Sequence, residues 1–149
     1  MKCAKNEYNQ TVPAKDAYHN TVVTALEKDG WTVSHDPLTM AFGQGSVYAN
    51  IGAEQLIGAK RGAAKIAVGV QVFDSTDEVR DLEVALGQYV FYRSLWQRVE
   101  PDRQLFLAVP NSAYKTTIQE PIARPALDDL DVSLLAFDPD EEKIVRWTR

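Results

Sequence analysis

The stretch Lys65-Ile-Ala-Val-Gly-Val-Gln-Val-Phe73 decides the fold of this chain. β-Branched residues recur at every second position, and this period of two predicts a strand that is buried on one face. The opposite face carries Gly69 and Gln71. Glycine weakens a strand by about 0.5–1 kcal/mol relative to alanine, and a buried amide needs hydrogen-bonding partners. The pair therefore indicates a site of present or former chemistry on a central strand, although a bulge or a close helix contact explains it equally well.

The composition is that of one globular domain, with 45% hydrophobic and 25% charged residues in a chain of 149. We expect residues 1–12 to form a flexible arm and residues 13–149 to form the single folded domain. The start of the chain lacks the apolar stretch of a signal peptide, and no apolar run approaches the roughly 20 residues of a membrane span. The single Cys3 excludes an internal disulfide, so the reducing cytoplasm is the expected compartment.

Hydrophobic periodicity and turn residues predict an α/β domain in which helices pack against a mixed sheet. The predicted order is a helix, three strands, a long helix, a strand and a terminal hairpin. We expect the first two strands to pair as a hairpin, and we expect residues 52–62 to form a short helical turn or an irregular crossing. The predicted bounds are a helix from Pro13 to Gly30, strands at 31–35, 48–51 and 65–73, a helix from the Ser75-x-x-Glu78 capping box to Gln97, a central strand at 104–109, short helical pieces within 111–130, and strands at 132–137 and 144–147.

Most motifs of catalysis are missing from the sequence. There is no phosphate-binding loop and no Ser or Cys nucleophile motif, and neither His19 nor His35 has a second His or Cys at metal-ligand spacing. The long helix carries Gln88 and Tyr92, whose i, i+4 spacing projects both from one face. A helix edge packed on the sheet explains that spacing equally well. The net charge of −5 tells against bulk attraction to DNA but leaves room for a local basic patch.

Several segments together resemble the XisH family, the fdxN-element excision controlling factors of cyanobacteria. The resemblance runs from about Pro13 to Trp147. It implies a restriction-endonuclease-like fold of the PD-(D/E)xK type, a role in programmed DNA rearrangement and a companion protein, XisI. The segments that carry it are Pro13-Ala-Lys-Asp-Ala-Tyr-His19, Lys28-Asp-Gly-Trp31, His35-Asp-Pro-Leu38, Ile51-Gly-Ala-Glu54, Ala85-Leu-Gly-Gln-Tyr89, Pro101-Asp-Arg103, Leu107-Ala-Val-Pro110 and Phe137-Asp-Pro139.

The chain departs from this family pattern at the catalytic positions. The resemblance implies an Asp and a Glu-x-Lys that would hold Mg²⁺ and activate water, but this chain has Asn50, Gly69 and Gln71 there. Gln88 and Tyr92 match the Gln-x-x-x-Tyr that some branches add on the following helix. We therefore expect no intact catalytic site and no bound metal. Asp16 and Glu54 remain as weak candidates for a residual ligand, each explained more simply as a capping or surface acid.

Three functional hypotheses remain open. The first is an accessory factor for DNA-element excision that no longer cleaves and acts by binding a protein partner, DNA or both. The second is an active metal-dependent nuclease with migrated acids, for example Glu83 on the long helix. The third is a protein-interaction scaffold that never meets DNA. We expect an XisI-like partner or a homodimer and no membrane association.

Two spatial predictions follow from these hypotheses. We expect Asn50, Gly69, Gln71 and Gln88 to line one cleft, with the strands of Asn50 and Gly69 as neighbours and Tyr92 one helical turn from Gln88. Phe91 and Leu95 give the long helix a second apolar face, which Trp147 would extend into an interface. The competing interpretation is that the terminal strands and residues 111–130 cover that face.

Overall fold

In this computed structural model the described residues are 14–36, 38, 40–42, 49–51, 56–71, 73 and 76–148, of which 14–17, 40–42, 49–51 and 56 are described by their backbone alone. The expected arm of residues 1–12 lies outside these ranges. The helices are α1 (Ala14–Lys28), α2 (Glu78–Val99), α3 (Asn111–Lys115) and α4 (Arg124–Asp129), with a 3-10 turn at Thr117–Gln119. The strands are β1 (Thr32–His35), β2 (Met40–Phe42), β3 (Ala49–Ile51), β4 (Leu56–Arg61), β5 (Ala64–Val70), β6 (Arg103–Pro110), β7 (Leu134–Asp138) and β8 (Lys143–Thr148).

Six of these strands form one mixed sheet in the order β1-β4-β5-β6-β7-β8. The central pairs β5–β6 and β6–β7 are parallel, whereas the pairs nearer each edge are antiparallel. The 22-residue helix α2 makes the crossover that a parallel connection from β5 to β6 requires. The sheet and its flanking helices confirm the predicted mixed α/β fold.

The organising strand is β5, and its two faces differ as the sequence predicts. Ile66, Val68 and Val70 are buried in a core that also contains Val22 and Leu26 of α1. Ala67, on the opposite face, belongs to the core beneath α2. The sheet therefore carries α1 on one face and α2 on the other, and Gly69 lies on the α2 face because strand side chains alternate.

The hairpin predicted from the first two strands is wrong. β1 pairs with β4, and β3 pairs with β2 in a separate two-stranded sheet. The irregular crossing predicted at residues 52–62 is also wrong, since β4 occupies 56–61 and forms an antiparallel hairpin with β5. Gly58 conceals β4 in the sequence because it interrupts the apolar alternation. A Cβ there would lie 3.2 Å from side-chain atoms of Arg103, His35 and Leu38, so these side chains would have to shift slightly to admit a larger residue.

The helix ends confirm one prediction and correct another. Gly30 has φ of +91°, the left-handed conformation expected just beyond the C-terminus of α1. The predicted capping box at Ser75 is not how α2 begins. The helix starts at Glu78, and the Asp77 carboxylate accepts the Arg80 backbone N–H at 3.0 Å. An aspartate two residues later is the N-cap instead, and the Glu78 carboxylate accepts a hydrogen bond from the Thr117 hydroxyl.

The C-terminal third follows the sequence prediction. Short helical pieces fill residues 111–130, β6 lies in the middle of the sheet, and β7 and β8 form the terminal hairpin. The Asp138 carboxylate accepts the backbone N–H groups of Asp140 and Glu141, which closes the turn between the two strands. No helix in the described ranges is both long enough and apolar enough to span a membrane.

Candidate functional site

A small pocket lies where the end of β5 meets the middle of α2. Its lining includes Gly69 and Gln71 from the strand side and Gln88 and Tyr92 from the helix. Four of the residues singled out in the sequence are thus brought together by the fold. The cavity volume is about 20 Å³, which is room for roughly one water molecule.

The sheet fixes the strand side of this pocket. The Gln71 backbone N–H donates to the Ala108 carbonyl at 3.2 Å, so the parallel ladder between β5 and β6 continues one residue past the end of the strand. Gly69 pairs with Leu107 on β6 in the same register. Gly69 and Gln71 therefore lie on a backbone that pairs with β6, and this pairing fixes their positions.

A buried tyrosine fixes the helix side. The Tyr89 hydroxyl donates to the Leu105 carbonyl at 3.1 Å and accepts the Ser133 backbone N–H at 3.0 Å. It thereby ties α2 to β6 and to the segment entering β7, and it places the neighbouring Gln88 beside the pocket. The sequence showed Tyr89 only as a member of the apolar stripe. A tyrosine at an apolar position of a helix was the available signal, because a buried tyrosine hydroxyl usually has hydrogen-bonding partners.

The pocket lining is chemically neutral. The ten lining residues that the structure describes include two amides and two phenols, and none of these ten is a carboxylate, lysine, arginine or histidine. Hard divalent cations bind through several oxygen ligands, usually including carboxylates, so this lining is a poor match for Mg²⁺. Across the described part of the chain, no three His, Cys, Asp or Glu side chains gather as a metal site would require.

The structure describes the other predicted site residues only in part. Asn50 is on β3, which pairs with β2 and not with β5, so the predicted adjacency of the Asn50 and Gly69 strands is wrong. The local sequence around Asn50 could not reveal that two short strands pair apart from the main sheet. The Asn50 side chain and all of Glu54 lie outside the description. The Asp16 side chain does as well, and its helix packs on the opposite face of the sheet.

Glu83, the acid considered as a replacement for the missing strand carboxylate, lines a different depression on α2. The two histidines make ordinary polar contacts. His19 interacts with Asp36, and His35 interacts with the Ser34 hydroxyl at 3.0 Å.

The strongest electrostatic cluster lies at the opposite end of β5 from the pocket. The buried Arg103 guanidinium donates to Glu100 at 2.8 Å and to the Ile66 carbonyl at 2.9 Å. Lys65 forms ion pairs of 3.0 Å with both Glu100 and Asp102.

Hydrogen bonds from Arg103 and then Lys65 lower the pKa of Glu100 to about 2. Hydrogen bonds to Glu100 and Asp102 raise the pKa of Lys65. The cluster joins β5, β6 and the end of α2, and the sequence analysis did not identify it.

The predicted second face of α2 is only partly exposed. Phe91 is 56% exposed, whereas Leu95 packs against the α2-side core together with Leu130. Trp147 does not extend this face, and that prediction is wrong. It contacts Phe106 and Trp31 on the α1 side of the sheet, at ring distances of 4.9 and 5.8 Å. Side-chain alternation along β8 directs Trp147 there. Homodimer formation through Phe91 stays a prediction.

The fold and the pocket define a mixed α/β protein whose sheet and long helix enclose a neutral pocket. The sequence profile of the XisH protein family matches residues 12–145, and the chain belongs to the XisH family.

Two crystal structures of relatives support this assignment. An XisH family protein from Nostoc punctiforme PCC 73102 is 37% identical, with a TM-score of 0.82 over 90% of this chain and 100% of that one. An fdxN element excision controlling factor protein from Anabaena variabilis is 38% identical, with a TM-score of 0.82 over 90% of this chain and 99% of that one. A search of curated proteins finds no relative of this chain.

Proposed function

We propose that this chain is an accessory factor for programmed excision of a DNA element and that it does not itself cleave DNA. In this proposal the fold is of the restriction-endonuclease-like, PD-(D/E)xK type, with the metal-binding motif reduced to Asn50, Gly69 and Gln71. The name of the Anabaena variabilis relative supports the connection to fdxN-element excision. The factor would act in the cytoplasm of a cyanobacterium by binding an XisI-like protein, DNA or both.

One observation carries the proposal. Gly69 and Gln71 stand beside the Gln88 and Tyr92 pair, which is where the family resemblance puts the catalytic Glu and Lys, yet no described residue of the lining is a carboxylate. Water activation by a metal needs ligands that offset the loss of the cation's hydration shell. Two neutral amides and a glycine do not supply them. The neutral pocket therefore supports a binding role over a cleaving one.

The distribution of acids bears on the alternative of an active nuclease. Glu83 was the candidate for a migrated ligand, but it lines the depression near the start of α2 and not the pocket of Gly69. The overall charge of −5 favours a partner protein over extensive DNA contact, because DNA affinity comes largely from phosphate neutralisation. A scaffold that never meets DNA is the second candidate, and the same charge supports it.

Carboxylates introduced into the pocket test the proposal. Calorimetric titration of the natural chain with Mg²⁺ or Mn²⁺ is expected to show no saturable site at millimolar concentrations, and the chain is expected not to cut DNA. The variant Gly69→Glu with Gln88→Glu puts two carboxylates into the pocket lining and is expected to gain metal binding. It is also expected to lose about 1–3 kcal/mol of stability, because new charges and a larger side chain enter a tight pocket.

A matched control separates charge from bulk. The variant Gly69→Gln with Gln88→Glu has nearly the same shape but lacks the second carboxylate, and it is expected to bind metal no better than the natural chain. A saturable metal site in the natural chain that is abolished by Gln88→Ala would contradict the proposal. Metal-dependent cleavage by the natural chain would also contradict it.

A further inference from the structure

A second and larger depression lies between the first half of α2 and the segment 116–126. Its volume is about 1090 Å³, and we call it the α2 groove. Leu82, Leu86 and Ala123 are almost fully buried and form its floor. Val79 and Ile122 rise on either side and are 42% and 68% exposed. The groove therefore presents a continuous apolar surface that no other described element covers.

The polar lining of the α2 groove has one sign of charge. Asp77, Glu78, Glu83 and Glu120 line it, and the described lining includes no Lys, Arg or His. The first two acids have local tasks, since Asp77 caps α2 and Glu78 accepts a hydrogen bond from the Thr117 hydroxyl. Glu83 and Glu120 are exposed on opposite walls, one on α2 and one at the end of the 3-10 turn.

We propose that the α2 groove binds a basic amphipathic helix of a partner protein. An apolar floor between two walls accepts the apolar face of a helix, which presents residues at i, i+3, i+4 and i+7. Lys or Arg side chains at the edges of that helix pair with Glu83 and Glu120. Apolar burial supplies the affinity, and the acids set the orientation and exclude acidic competitors.

The charge and size of the α2 groove favour a protein helix over DNA or a small molecule. DNA is disfavoured because its phosphates would meet acids on both walls. The volume lies at the upper end of the range of roughly 300–1,000 Å³ for small-molecule sites, and the depression is only partly enclosed, which suits a segment of protein chain better than a small ligand. The inference rests on the proposed function only in assigning a protein partner. It does not depend on the pocket of Gly69 being inactive, so the two proposals can fail separately.

A designed helix serves as the probe because the natural partner is unidentified. A fluorescently labelled peptide of about 16 residues, roughly 24 Å when helical, carries Leu on one face and Lys and Arg at its flanks. Fluorescence anisotropy with the full chain is expected to show saturable binding that weakens about tenfold between roughly 50 and 200 mM salt. A scrambled peptide of equal composition and a peptide with Glu for each Lys and Arg are expected to bind at least about tenfold more weakly.

Charge and apolar variants locate the site. Glu83→Lys with Glu120→Lys is expected to weaken the basic peptide about tenfold or more, whereas Glu27→Lys with Asp140→Lys makes the same charge change outside the groove and is expected to have little effect. Ile122→Asp is expected to weaken binding similarly, and Phe91→Asp is its control on an exposed apolar residue outside the groove lining. Circular dichroism confirms that each variant is folded.

Three results would overturn the proposal. In the first, the groove variants and their controls change the affinity equally. In the second, the acidic or scrambled peptide binds as tightly as the basic one. In the third, light scattering shows a homodimer of the natural chain that Glu83→Lys with Glu120→Lys converts to a monomer, which would make a second copy of the chain the occupant of the groove.

Discussion

At the scale of single residues, Arg103 is the most constrained charge in the described chain. Its side chain is only 3% exposed and depends on Glu100, which is 28% exposed, and on the Ile66 carbonyl. A buried guanidinium that loses its carboxylate partner stays desolvated, and no ion pair then offsets that unfavourable free energy. Glu100 is therefore expected to contribute more to the free energy of unfolding than Asp102, the other acid bound to Lys65, because Asp102 is 67% exposed.

Two neutral substitutions measure this difference. Glu100→Gln is expected to lower the free energy of unfolding by about 1–3 kcal/mol at pH 7, because the buried Arg103 guanidinium then lacks its anionic partner. Asp102→Asn is the matched control and is expected to change it by less than about 0.5 kcal/mol. Urea denaturation followed by circular dichroism provides the measurement. Equal effects of the two variants would contradict the central role of Arg103.

The stability difference between the natural chain and Glu100→Gln is expected to change with pH in a definite direction. The pKa of Glu100 is about 2 in the folded chain, below its ordinary value of 4.5. A depressed carboxyl pKa contributes stability above the unfolded value, and this contribution fades as the pH falls from 4.5 towards 2. The stabilities of the natural chain and of Glu100→Gln are therefore expected to converge over that window. A gap that stays constant down to pH 2 would refute the electrostatic origin.

At the scale of elements, two glycines have opposite roles in their helices. Gly30 ends α1 with φ of +91°, where a Cβ is strained, whereas Gly87 lies within the helical backbone of α2, and a Cβ there would meet nothing within 4 Å. Gly30→Ala is expected to destabilise the chain by about 1 kcal/mol, and Gly87→Ala is expected to stabilise it by about 0.5–1 kcal/mol. Thermal unfolding checks the pair. A gain in stability from Gly30→Ala would rule out the strain argument.

The elements that could be predicted from the sequence are those with a strong local pattern. β5 and its two unlike faces follow from strict alternation, α2 follows from a long helical stripe, and the Gln88–Tyr92 pair follows from helix spacing. The pairing of β1 with β4 does not follow from local patterns, because it joins segments about 25 residues apart and depends on the path of the intervening chain. The same reason explains why Asn50 was assigned to the wrong neighbours.

In the candidate site, too, local sequence patterns predict some residues and not others. Three of the four cleft residues could be placed because they lie on β5 and α2, whose mutual packing is dictated by their apolar faces. The cluster of Arg103, Glu100 and Lys65 could not be foreseen as a unit. Its members come from two strand starts and a helix end, and only the parallel register of β5 and β6 brings them together.

At the scale of the whole molecule, stability is expected to decline from the centre of the sheet to its edges. β5, β6 and β7 have a strand on each side and helices or buried apolar residues on both faces, whereas among the described strands β1 and β8 each have one neighbour. Native-state hydrogen exchange read by mass spectrometry is expected to show protection at least about tenfold greater for the three central strands than for β1 and β8. Uniform protection across the sheet would contradict this gradient.

The two outer strands also limit how this protein can meet other chains. β1 has only four residues and a break in its register between Val33 and His35. β8 bears Lys143 and Arg146, and its pairing with β7 shifts between Ala136 and Phe137. Short, irregular or charged strands at a margin resist the addition of a further strand from another molecule. Neither side of the sheet is therefore a template for fibril growth or for an extended peptide, and recognition is left to the helical surfaces.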